Sequence, residues 1–250
     1  MMKIYLILMI LFYSHLAFSQ NVDREIFEET LGEAKAHAYS VLEKSFEEFL
    51  KSNYQNQNTL PERIKSYLTD IQNQNINWSY DENLSKSTLD QLEKSGLRKD
   101  ILLYKSESYK ERFEFSNYLN ENSSNTETID NSKIDDDFEE LIEIPTTSRK
   151  EDEQVIKEEL ERQKFRDKFP QPNKNGRFYY ALAKAQTNHE DVKEYVFLVT
   201  KHEESPSPSL IASAFLDNFS DSELIAWENR LMMIVEIYMK NLIYNEIIKN

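Results

Sequence analysis

The chain has 250 residues and a formal net charge of −15, from 30 basic and 45 acidic residues. A field of that sign repels nucleic acid and anionic lipid. The absence of cysteine excludes disulfide scaffolds, cysteine nucleophiles and thiolate metal sites, and 3 glycines with 6 prolines are too few for a hairpin-rich sheet, so the expected class is all-α.

The first stretch, "MMKIYLILMILFYSHLAFSQ", reads as an address rather than as fold. Lys3 precedes an apolar run from Ile4 to Tyr13, and Ala17 and Ser19 supply a small-x-small cleavage box. The apolar run is shorter than the about 20 residues of a membrane span. Residues 1–19 are therefore expected to be a cleaved signal peptide, with the remainder exported to the periplasm or secreted. A cysteine-free exported chain fits a bacterial source.

Residues 20–119 read as an N-terminal array of long helices. Phe27, Leu31, Ala34, Ala38, Val41, Leu42, Phe46, Phe49 and Leu50 recur at steps of three and four, which predicts one long amphipathic helix with Gly32 as a weak point. Thr59, Pro61 and Glu62 form a capping box with proline in the first turn, and Ile64, Tyr67, Leu68 and Ile71 form the buried face behind it. Trp78 and Tyr80 are expected to tuck under neighbouring helices. Ser87 and Asp90 suggest the start of a short helix that Gly96 ends as a left-handed stop. The stretch from Leu97 to Leu119 is expected to continue as helix.

Residues 120–137 are a polar and acidic linker by composition. Asp135, Asp136 and Asp137 lack the alternation, glycine and terminal glutamate of a calcium loop. Residues 138–168 read as connecting charged helices, with acids and bases alternating from Arg149 to Lys168. Phe169 to Gly176 holds two prolines and a glycine, and is expected to interrupt regular structure.

Residues 169–250 read as a compact bundle of about four helices around a long C-terminal helix. Phe178, Leu182 and Ala185 mark the inner face of the first helix. Val192, Tyr195, Val196 and Val199 mark that of the second. Ser207 caps a third, with Pro208 in its first turn and Ile211, Ala214 and Phe215 inward. A box of Ser220 and Glu223 opens the fourth, which is apolar on most sides. Such a helix is central or part of an interface, and a homodimer along its free face is one possibility. Arg230, Glu236, Lys240 and Glu246 interrupt it too often for a membrane span. Met232, Met233 and Met239 could line an apolar groove, with core packing the plainer reading.

The chemistry of common enzymes is missing. There is no Gly-rich phosphate loop, no Gly-x-Ser-x-Gly elbow and no His-Glu-x-x-His pair. Beyond the signal, the histidines are His37, His189 and His202. The last two are each followed by two acids, which resembles a repeated ligand triplet. They stand thirteen residues apart, about 20 Å along a helix, and cannot share one metal ion. Thr187 and Glu190 instead read as a capping box, and Lys201 and His202 as the basic end of the same helix. No catalytic, cofactor-binding or metal-ligating residue and no cofactor is therefore assigned. A carboxylate pair for hydrolysis is the one enzymatic option that the sequence leaves open. The leading expectation is an exported, non-catalytic helical protein that binds a protein or a glycan. An acidic inhibitor or immunity protein for a basic toxin or lytic enzyme is the alternative.

Overall fold

The computed structural model describes residues 24–75, 77–115, 118, 157, 160–162, 164–185, 190–201 and 207–249. The expected signal peptide, the linker at 120–137 and the helix expected just after it lie outside the described residues.

Helix dominates, as the composition implies. Two helices, α1 (Arg24–Leu31) and α2 (Glu33–Asn53), replace the single long helix expected at the start. Gly32, at φ +90°, breaks the run. Its carbonyl then accepts from Lys35 and Ala36, so the helix restarts at once in a new direction. Helix α3 (Leu60–Gln72) opens with the complete box of Thr59 and Glu62. Helix α4 (Glu82–Ser95) begins earlier than expected, because the Asp81 carboxylate accepts from Leu84 N–H and caps it in place of Ser87. Gly96 ends it in the left-handed conformation.

Over residues 97–115 the expected continuous helix stops at Ile101. A short α5 (Leu97–Ile101) passes into β1 (Leu102–Leu103). The reason is side-chain competition with the backbone. Arg98, 3% exposed, donates to the Leu102 carbonyl at 3.0 Å and to the carboxylates of Glu93 and Glu107. Glu107 in turn accepts from Tyr104 N–H at 3.0 Å. The segment is thus curled around one guanidinium rather than wound into a helix.

Strand β2 (Gln171–Pro172) pairs antiparallel with β1, Leu102 opposite Pro172 and Leu103 opposite Gln171. Regular structure therefore reaches into the stretch expected to forbid it. A two-stranded ladder is all edge, where proline's missing N–H is tolerated. Asn173 fixes the junction, donating from its backbone to Ile101 O at 2.8 Å and from its amide to Lys99 O at 2.7 Å.

Four helices follow. They are α6 (Arg177–Ala185), α7 (Glu190–Lys201), α8 (Pro208–Asn218) and the short α9 (Asp221–Leu224). Ser207 and Pro208 start α8, and the box of Ser220 and Glu223 starts α9. The long C-terminal helix is interrupted at its beginning. Asn229 Nδ2 donates to the Glu223 carbonyl at 2.9 Å, and Ala226, with ψ 139°, turns the chain before the helix resumes. From there α10 (Trp227–Met233), a π segment (Ile234–Met239) and α11 (Lys240–Lys249) run without a break.

One core draws on both ends of the chain. Helix α1 packs on α6, and α3 packs on α8. Phe27 meets Phe178 and Trp227 edge-on at 5.6 and 5.1 Å. Phe46 meets Tyr67 and Tyr238 at 5.4 and 5.1 Å. Trp78 and Tyr80 lie against Phe49, as expected of them. Fully burying each such ring contributes about 1.5–3 kcal/mol, and the edge-on pairs add about 0.5–1.5 each. An ion-pair network bridges the same two parts: Arg230 reaches Glu43 at 2.9 Å and Glu47 at 2.8 Å, and Arg24 reaches Glu43 at 3.3 Å. The C-terminal helix is central, with Ile234, Val235, Ile237 and Met239 fully enclosed within the chain. Its large exposed apolar side chains are Tyr244 and Ile248.

Candidate functional site

The feature best suited to binding lies where α7, α8 and the π segment meet. A cleft of about 200 Å³ opens there, lined by Tyr195, Leu210, Ile211, Ala214, Phe215, Met232 and Glu236. Its exposed lining is wholly apolar. Each wall follows from a local pattern. The cap at Ser207 and the proline at 208 set the start of α8, so that Leu210, Ile211, Ala214 and Phe215 fall on one face at helical spacing. The stripe of α7 buries Val192, Val196 and Val199 and brings Tyr195 alongside. Leu210, 62% exposed, stands at the mouth.

Met232 of α10 and Glu236 of the π segment complete the lining. Such widened turns recur at functional sites. Here it sets Tyr238 toward α2, where its hydroxyl lies 2.8 Å from that of Ser45, and Glu236 toward α7. Glu236 is 1% exposed. Its Oε1 accepts from the Tyr195 hydroxyl at 2.6 Å and its Oε2 from the Lys240 ammonium at 2.5 Å. Burial and the neighbouring Glu236 carboxylate push the Tyr195 phenol well above its ordinary range, and the same two causes act on Tyr179. Both phenols therefore stay protonated, and Tyr195 remains a donor to the carboxylate at any physiological pH. The arrangement holds an ion-paired carboxylate beneath an apolar surface.

A second buried acid, Glu228, is 4% exposed on α10. It sits about two turns before Glu236 along the C-terminal helix. Both oxygens of Glu236 are engaged by Tyr195 and Lys240.

His37 is exposed on α2. His189 and His202 lie outside the described residues, as does the capping box of Thr187 with Glu190. Among the described residues no group of three His, Cys, Asp or Glu side chains could hold a metal ion. Among them, too, no helix is long and apolar enough to cross a membrane. Of the three methionines singled out in the sequence, Met232 lines the cleft, whereas Met233 and Met239 are enclosed in the core. Sequence reasoning marked Tyr195, Ile211, Ala214 and Phe215 only as inward residues and Glu236 only as an interruption. The juxtaposed buried acid and methionine at i and i+4 were the available signal. Comparison with protein-family models, with curated proteins and with solved structures gives no match.

Proposed function

We propose that this chain is an exported, non-catalytic binding protein whose contact point is the cleft between α7, α8 and the π segment. The observation that carries the reading is the cleft's wholly apolar exposed lining above a carboxylate whose two oxygens are already engaged. A glycan needs hydroxyl partners, and this surface offers none. At about 200 Å³ the cleft lies below the usual range for a drug-sized ligand. It matches a single large side chain presented by a protein partner, in the manner of a buried anchor.

The test is a titration with hexan-1-ol, read by the ¹³C-methyl signal of Met232. A saturable shift at that methyl is expected, with no comparable shift at the enclosed Met233 and Met239. Ala214→Trp fills the cleft from an exposed position of α8 and is expected to abolish the shift while leaving the fold intact. A Met232 signal that does not move, or moves equally in the Ala214→Trp variant, overturns the reading.

The net charge of −15 favours one refinement, an acidic inhibitor or immunity protein directed at a basic target. Its association rate with such a target would fall steeply with ionic strength.

A further inference from the structure

We propose that the groove between α2, α4 and α11 binds a neutral saccharide, with one sugar ring on either side of Tyr80. The site is separate from the cleft and does not depend on it.

Two adjoining hollows, of about 160 and 250 Å³, share Tyr80 and Ser85 as their common wall. Each is smaller than the about 300 Å³ at which ligand pockets begin, and joined they exceed it. The wall is held from inside the chain. Asn53 of α2 donates to the Ser79 carbonyl at 2.9 Å and accepts from the Ser79 N–H at 2.8 Å. The Tyr80 ring stacks on Phe49 at 5.0 Å. Lys249 of α11 reaches Glu82 of α4 at 3.0 Å and ties the two helices together along the groove. Unlike the cleft, both hollows expose polar as well as apolar surface.

The acids of the lining select the class of ligand. Glu48, Asp81 and Glu82 each have one oxygen engaged within the chain. Lys51 donates to Glu48 Oε1 at 2.8 Å, the Leu84 N–H to Asp81 Oδ1 at 2.8 Å, and Lys249 to Glu82 Oε1 at 3.0 Å. The second oxygen of each accepts nothing among the described residues, so three anchored carboxylates each keep an acceptor to offer. An arriving ammonium finds Glu48 and Glu82 already matched with lysines. An arriving anion meets their lone pairs and is repelled. An apolar side chain would leave Ser52, Ser85 and Asn245 of the lining without partners. A neutral ring of hydroxyls suits both parts of the groove. Its O–H groups donate to the open carboxylate oxygens in charge-assisted bonds. Its C–H surface lies against Tyr80, Leu89 and Leu242.

The experiment titrates the full chain with cellobiose, maltose and N,N′-diacetylchitobiose, read by the Ser85 backbone amide and the Asn245 side-chain amide in ¹⁵N spectra. Digalacturonate and cadaverine are the anionic and cationic controls. Saturable shifts at both amides are expected with at least one neutral disaccharide and with neither control. Ser85→Arg fills the common wall from a half-buried position of α4 and should weaken that disaccharide by roughly tenfold or more, the scale of a hydrogen bond to a charged group. The same variant should keep the response of the Met232 methyl to hexan-1-ol, so this proposal and the cleft reading fail separately. If Ser85→Arg does not fold, the shifts in the unaltered chain decide. Silence of both amides with all three disaccharides overturns the proposal. Equal shifts with cadaverine or digalacturonate overturn the neutral saccharide, and undiminished binding in folded Ser85→Arg overturns its placement in this groove.

Discussion

Gly176→Ala is the substitution for which the structure allows the sharpest forecast. A Cβ built on Gly176 would lie 1.7 Å from the Asp100 carbonyl oxygen and 2.7 Å from its carbon. Carbon–oxygen contacts ordinarily begin near about 3.3 Å. The backbone of α5 must therefore retreat by roughly 1.5 Å, and there is no flexible side chain to give way instead. Asp100 is 1% exposed, forms an ion pair with Lys35 at 2.6 Å and accepts from the Tyr109 hydroxyl at 2.6 Å. The neighbouring Lys99 and Ile101 carbonyls hold Asn173. Breaking a buried ion pair costs about 3–5 kcal/mol. At about 2–4 °C per kcal/mol for a chain of this size, the melting temperature should drop by roughly 6–20 °C. Gly32→Ala is the control. It has open space around the new Cβ but φ +90° and ψ 148°, a conformation essentially reserved for glycine, so it should cost about 1–3 kcal/mol of backbone strain. Thermal unfolding followed by circular dichroism measures both. If Gly176→Ala melts no lower than Gly32→Ala, the close approach at Asp100 is not a constraint and the reasoning fails.

Other outcomes can be checked in the same way. The Arg98 guanidinium holds the Glu107 carboxyl down at about 2, against 4.5 for a free glutamate. A depressed folded value contributes stability that is present above pH 4.5 and is lost as pH falls toward 2, on the order of 3 kcal/mol. Glu107→Gln should flatten denaturation profiles across that window, and a profile as steep as that of the parent would count against it. Tyr195→Phe leaves the buried Glu236 with Lys240 alone and should cost about 1–3 kcal/mol by urea unfolding, with no loss in m-value. Phe27→Ala should cost about 3–5 kcal/mol and lower one transition seen alike by Trp78 and Trp227 fluorescence; separate midpoints would mean that the two ends of the chain melt independently.

How much of this was legible depended on how local each cause is. The boxes at Thr59 and Ser220, the stop at Gly96 and the start at Ser207 involve residues within a few positions of one another, and the structure contains them all. So does the amphipathic stripe of α3, where Ile64, Tyr67, Leu68 and Ile71 are buried. The failures came where a side chain overrode the backbone from a distance along the chain. Nothing near Leu97 announces that Glu107 will fold back on Arg98, and nothing near Glu223 announces that Asn229 will take its carbonyl. The pairing of α3 with α8, fixed in part by Gln72 donating to the Ser213 hydroxyl at 2.9 Å, spans most of the molecule and leaves no periodic trace. The cleft inherits that difficulty, because α7, α8 and the π segment each supply only part of it.

The shared core also has a consequence in time. A chain emerges from the ribosome N-terminus first, and domains usually fold as they appear. Here Phe27 waits for Phe178 and Trp227, and Ser45 waits for Tyr238. Until those late residues arrive, α1, α2 and α3 bury only part of their apolar faces, against one another and against α4, and isolated helices of their length are marginal in water. Such a nascent chain cannot complete its core until Tyr238 has been made. Contacts of such long sequence separation also slow that step, leaving an interval in which the polypeptide is still threadable, recognisable by holding factors and exposed to proteases.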